Sequence, residues 1–189
     1  MKLRTMTAIA LATGLLASGV AYAQQPAAPG AIVAPAASAP NPLDVIPDKM
    51  PFNIPFGTPI SEDRAQSVIQ AGIAEANKRG WAMNVSIVDP NGDLVAFARM
   101  DSAQLASISI SQHKARTAAR YRRPTRLFED AMQHGVIYVA TLDDVIASRG
   151  GIPLVEGGKL IGAVGCSGGT GSQDEAICTA AAATINKTQ

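Results

Sequence analysis

The segment that most limits what this chain can fold into is residues 150–175. There, two apolar runs flank Gly157-Gly158, and Gly165, Gly168, Gly169 and Gly171 then lead into Asp174-Glu175. A glycine pair between apolar runs predicts a tight hairpin, because both central residues of such a turn need positive φ. The glycines that follow predict a bare loop opening a helix. Such a loop leaves backbone N–H groups unpaired at the positive end of a helix dipole, which suits a carboxylate, phosphate or other anion. The competing reading is a tight strand-to-helix corner in which glycine supplies only backbone freedom.

The remaining pattern surrounds this hairpin with helices. Ser61 reads as an N-cap with Glu62 and Asp63 in the first turn. Ala65, Val68, Ile69, Gly72, Ile73 and Ala76 then trace one helical face that ends near Gly80. Residues 84–89 and 94–100 are β-rich runs joined by Asp89-Pro90-Asn91-Gly92-Asp93, a second hairpin. A helix is expected over 102–121, stopping before Pro124, with a short one over 125–133 closed by Gly135 and a last one over 173–186. Two hairpins separated by helices predict an α+β domain with an antiparallel sheet.

The ends differ in kind. Lys2 and Arg4, the apolar run 6–20 and Ala21-Tyr22-Ala23 form a signal peptide with cleavage near Ala23. The run is too short and too rich in small residues for a stable membrane span. A periplasmic or secreted protein is therefore expected. Residues 24–58 are rich in Ala and Pro and read as an arm or linker, with Ile46, Phe52, Ile54 and Phe56 apolar enough to dock on a surface. Residues 59–189 form the globular domain. Without its first 23 residues the chain carries 14 basic and 15 acidic side chains, a formal charge of −1. This balance does not suit a nucleic-acid binder.

Few side chains are equipped for chemistry. His113 lies mid-helix with Ser109, Ile110, Arg116 and Thr117 on its face. It can ligate haem iron with Arg116 and Arg120 meeting carboxylates, act as a general base, or be an ordinary surface imidazole. His134 precedes Gly135 at a helix end, where dipole and capping preferences account for it. Lys114, Arg116, Arg120, Arg122, Arg123 and Arg126 gather positive charge, either as a solvated face or as a local anion site. No aromatic platform accompanies them, again disfavouring nucleic acid. Arg99 closes a strand near this region. Cys166 and Cys178 lie twelve apart in a chain expected to be exported, compatible with a disulfide or with two buried small apolar residues. They have no partners at zinc-site spacing.

Four motifs, in order, carry a resemblance. They are residues 85–101 (VSIVDPNGDLVAFARMD), 107–118 (SISISQHKARTA), 150–154 (GGIPL) and 161–174 (IGAVGCSGGTGSQD). Over about residues 59–186 the chain resembles the GlcG/HbpS family and the C-terminal domain of PduO-type proteins. The resemblance implies a profilin-like five-stranded antiparallel sheet flanked by helices, homo-oligomeric assembly (dimer or higher) and, as in some members, haem binding. The leading expectation is an exported protein that holds haem noncovalently for sensing or storage, since the chain has no Cys-x-x-Cys-His attachment motif. His113 would be the iron ligand and Arg116 and Arg120 the propionate partners. One alternative is a small-molecule enzyme in which Gly168, Gly169 and the helix start hold a carboxylate, Arg99 clamps it, and His113 or Asp174 exchanges protons. Another is an accessory subunit whose Pro-rich arm wraps a neighbour.

Overall fold

The structure is a computed structural model that describes residues 46–186, so the segment read as a signal peptide and the first part of the arm lie outside it. Among the described residues the elements run α1 (Glu62–Arg79), β1 (Asn84–Val88), β2 (Leu94–Arg99), α2 (Ala106–Tyr121), α3 (Arg126–Gln133), a 3-10 turn (Ile137–Thr141), β3 (Gly151–Glu156), β4 (Lys159–Ser167) and α4 (Gly171–Ala182). The strands form one antiparallel sheet in the order β2-β1-β4-β3. The protein is thus α+β, as its hairpin and helix pattern requires.

The sheet has four strands among the described residues, one fewer than the resemblance implies. Ahead of α1 the chain meets the sheet along β4, with a single parallel bridge from Phe56 to Leu160 and a hydrogen bond from Ile60 N–H to the Ile161 carbonyl at 2.8 Å. Gly57 N–H donates to the Leu160 carbonyl and Leu160 N–H to that of Pro55. Pro55 and Pro59 have no N–H to donate, so these contacts do not join into a regular fifth strand.

Helices cover both faces of the sheet. Val85, Ile87, Leu154, Val164 and Cys166 pack against Val68 and Ile69 of α1 and Ile177 and Ala181 of α4. On the other face Val88 and Ala163 meet Ala115, Ala118 and Ala119 of α2. Small residues dominate the second contact because α2 lies almost on the strand backbones. Gly151 and Gly165 are cross-strand partners. A β-carbon on Gly165 would overlap the Ser111 carbonyl, and one on Gly151 the Lys114 carbonyl. Gly157 and Gly158, with φ of 55° and 74°, make the hairpin turn.

The compact unit begins at Pro47, within the stretch read as linker. Phe52 lies against the Arg123 guanidinium, 3.9 Å from carbon to ring centroid, and Arg122 donates to the Ile54 carbonyl at 3.0 Å. Arg123 also faces the Phe128 and Tyr121 rings, and burial lowers its pKa. Ile46, in contrast, is exposed.

Candidate functional site

The glycine loop holds the best-defined polar cluster. Lys114 and Asp174 are both buried, and their side chains pair at 2.7 Å from Nζ to Oδ2. The other Asp174 oxygen accepts from the Gly168 and Gly169 N–H groups, each at 3.0 Å. The N–H groups that the sequence offers to an anion are therefore met by the chain's own carboxylate. Local sequence explains the loop's shape. Thr170 and Gln173 form a reciprocal capping box at the start of α4, which places Asp174 in the first turn, directed back toward the glycines. Burial pushes the Asp174 carboxyl above its usual range, while Lys114 and the N–H groups of Gly169 and Gly168 pull it down.

Sequence reasoning counted Lys114 as part of a positive patch and missed its partner, sixty residues away. The only hint was its position among small residues of α2, on the face that meets the sheet. The rest of the patch is likewise engaged within the chain. Arg116 donates to the Gly92 carbonyl and Arg120 to that of Asn91, so both hold the β1–β2 turn, and Arg120 also pairs with Asp144. Arg126 faces Asp130 and Glu175. Arg149, Glu129, Asp130 and Glu175 form a further ion network that joins the end of the 142–149 segment to α3 and α4.

His113, Arg116 and Arg120 share the side of α2 turned away from the sheet. His113 is half-buried, and its Nε2 is shielded from solvent with no hydrogen-bond partner. A shielded imidazole nitrogen without a partner is uncommon and calls for an explanation. Residues 143–146 are fastened one turn further along the helix. Thr117 Oγ1 donates to the Asp144 carbonyl and accepts from Ile146 N–H, and Tyr121 donates to the Asp143 carbonyl.

Arg99 stands apart from these groups. It is exposed at the end of edge strand β2, opposite Asn84. His134 lies at the end of α3, its Nδ1 2.7 Å from the Asp130 carbonyl oxygen. Cys166 and Cys178 form a disulfide, with 5.6 Å between their Cα atoms, joining β4 to α4 behind the glycine loop. Among the described residues no group of three or more His, Cys, Asp or Glu side chains could hold a bare metal ion. No helix there is long and apolar enough to cross a membrane.

An antiparallel sheet between helices, with a glycine-bedded helix and a self-capped glycine loop, defines the class: a small α+β domain whose polar machinery lines α2 and the start of α4. The chain belongs to the family described as haem-degrading protein HbpS-like, whose model matches residues 60–183. It is 41% identical over 108 residues to protein GlcG of Escherichia coli K12, covering 57% of this chain and 81% of that one. The solved PduOC–haem complex superposes with a TM-score of 0.62 at 31% identity, covering 68% of this chain and 96% of that one. Klebsiella pneumoniae protein ORFY superposes at 0.65 with 27% identity, covering 77% and 99%. HbpS, at 24% identity and a TM-score of 0.64 over 71% and 95% of the two chains, shares the fold.

Proposed function

We propose that this protein binds haem noncovalently on the outer side of α2, with His113 as the iron ligand. One observation in the chain's own residues carries the assignment: the His113 Nε2 is shielded and unpaired, a donor atom whose preferred partner is missing. Family membership and the haem complex of a 31% identical relative support the choice of ligand. Arg116 and Arg120 spend only part of their hydrogen-bonding capacity on the β1–β2 turn and Asp144, leaving N–H groups for propionates. Bound haem would supply a redox-active iron. The protein's part is to bind it, orient it and limit access to it. Because the nitrogen is shielded, loading requires the His113 ring to turn or the neighbouring 143–149 segment to shift.

Export through cleavage near Ala23 belongs to the same proposal, and the Cys166–Cys178 bond suits an oxidising compartment. Exposed Leu105, Ile137 and Tyr138 offer apolar surface for assembly with further copies of the chain.

The test is an absorption titration of the purified protein with haem. We expect a sharp Soret band saturating at one haem per chain, and at least tenfold weaker binding in His113→Ala. A band that survives this substitution unchanged removes His113 as ligand, and no specific band at all removes haem binding.

A further inference from the structure

Beside the glycine loop lies a cavity of about 290 Å³, lined by Gly80–Met83, Ser102, Gln104, Gly168, Gly169 and Gln173. We propose that it is a second binding site, for an uncharged ring molecule of about monosaccharide size that carries hydroxyl and amide groups.

Charge is the first argument. None of the lining side chains is ionisable. Asp174, which follows Gln173 in the chain, is engaged by Lys114 and by the loop's own N–H groups. Arg99 is not among the lining residues, and Arg79, whose guanidinium lies over the Trp81 ring, is paired with Glu75 at 2.6 Å. An ionic ligand would therefore find no unpaired counter-charge among the lining side chains.

Hydrogen-bonding capacity is the second. Gln104 uses its Nε2 on Ser107, which fixes the amide and leaves Oε1 to accept. Gln173 uses its Oε1 on Thr170 N–H, which leaves Nε2 to donate. Ser102 borders the same space with φ of +65°, a left-handed backbone uncommon outside glycine and frequent at ligand clamps. Trp81, half-buried with the Arg79 guanidinium over its ring at 5.1 Å, supplies the apolar surface on its remaining exposed side against which a ring can lie. The volume is at the lower end for small-molecule sites and suits a ligand of that size.

Trp81 is the only tryptophan in the chain, so its fluorescence reports directly on this cavity. The experiment titrates the haem-free full chain with N-acetylglucosamine, which carries ring hydroxyls and an amide, and with sodium acetate as the anionic comparison. We expect saturable emission change with the sugar and none with acetate. Gln104→Leu should weaken binding about tenfold, the loss expected for one unmet hydrogen bond. Gln173→Glu should do the same while keeping the capping box that starts α4, so it serves if Gln104→Leu fails to fold. No saturable change with the sugar overturns the proposal. Equal or tighter response to acetate, or sugar binding indifferent to the substitution in a folded variant, also overturns it.

Discussion

Lys114 is a charged side chain placed where charge is costly. Its surface is 1% exposed, and inside the fold its ammonium group is compensated by the Asp174 carboxylate. Removing one member of such a pair leaves the other buried and uncompensated, a loss of about 3–5 kcal/mol. Lys114→Met should therefore lower unfolding free energy by that amount, measured by denaturant titration. Adding Asp174→Asn to it should cost less than the two single losses combined, because the second change removes the stranded charge while its amide oxygen still accepts from Gly168 and Gly169. Equal additivity would mean that the two groups do not stabilise each other. The pair also shows where sequence reading stops at this scale. Asp174 was legible as a member of the glycine loop, because the loop and the start of α4 are contiguous in the chain. Its partner was not, since a lysine inside an amphipathic helix carries no mark of whether its face meets solvent or a sheet. His113 had the same ambiguity: spacing gave its helical neighbours but not the shielding of its Nε2.

At the scale of elements, local pattern was enough to identify both hairpins and all four helices, because the apolar period and the turn glycines are local signals. The start of α2 was less legible. Ser102 to Gln104 have helix-compatible side chains, but Ser102 adopts a left-handed turn and the helix begins only at Ala106. How α2 sits on the sheet depends on Gly151 and Gly165, which face each other across β3 and β4. In sequence Gly165 reads as part of the hairpin's second strand and Gly151 lies just ahead of its first, but nothing local shows that both leave room for a helix backbone. Gly165→Ala would push a methyl into the Ser111 carbonyl and the Ala115 amide. Backbone cannot yield as a flexible side chain does, so the cost should exceed the 1–3 kcal/mol usual for overpacking. Thermal unfolding checks this; a melting temperature within a degree or two of the parent would show that α2 does not bear on the strand as closely as described. Because Ser111 and Lys114 are displaced together in that variant, the Ser86–Ser111 hydrogen bond at 2.7 Å should be lost with it.

For the molecule as a whole, strand order was the least legible feature, because β1 pairs with β4 across the whole intervening chain and nothing local encodes that choice. The role of the arm follows from this order. Between β4 and the end of β1 there is room alongside Leu160, and the segment ahead of α1 fills it with the Phe56 bridge. From there Arg122 and Arg123 hold Ile54 and Phe52, so the last residues of the Pro-rich stretch cover the end of α2 and the adjoining surface. A chain starting at Pro59 would lose the bridge, the Arg122 hydrogen bond and the Phe52 ring on Arg123. Taking about 1 kcal/mol for each hydrogen bond and about 0.5–2 for a cation–π contact, the loss should be on the order of 3–5 kcal/mol. A chain starting at Ile46 keeps all of these contacts and should match the full chain. Comparing the denaturation midpoints of the two truncations separates the readings: equal stability would mean that residues 47–58 are only a tether, while a lower midpoint for the shorter chain places them in the fold. The slope of the transition adds an independent check, since a domain that buries the arm exposes more surface on unfolding and should show the larger m-value.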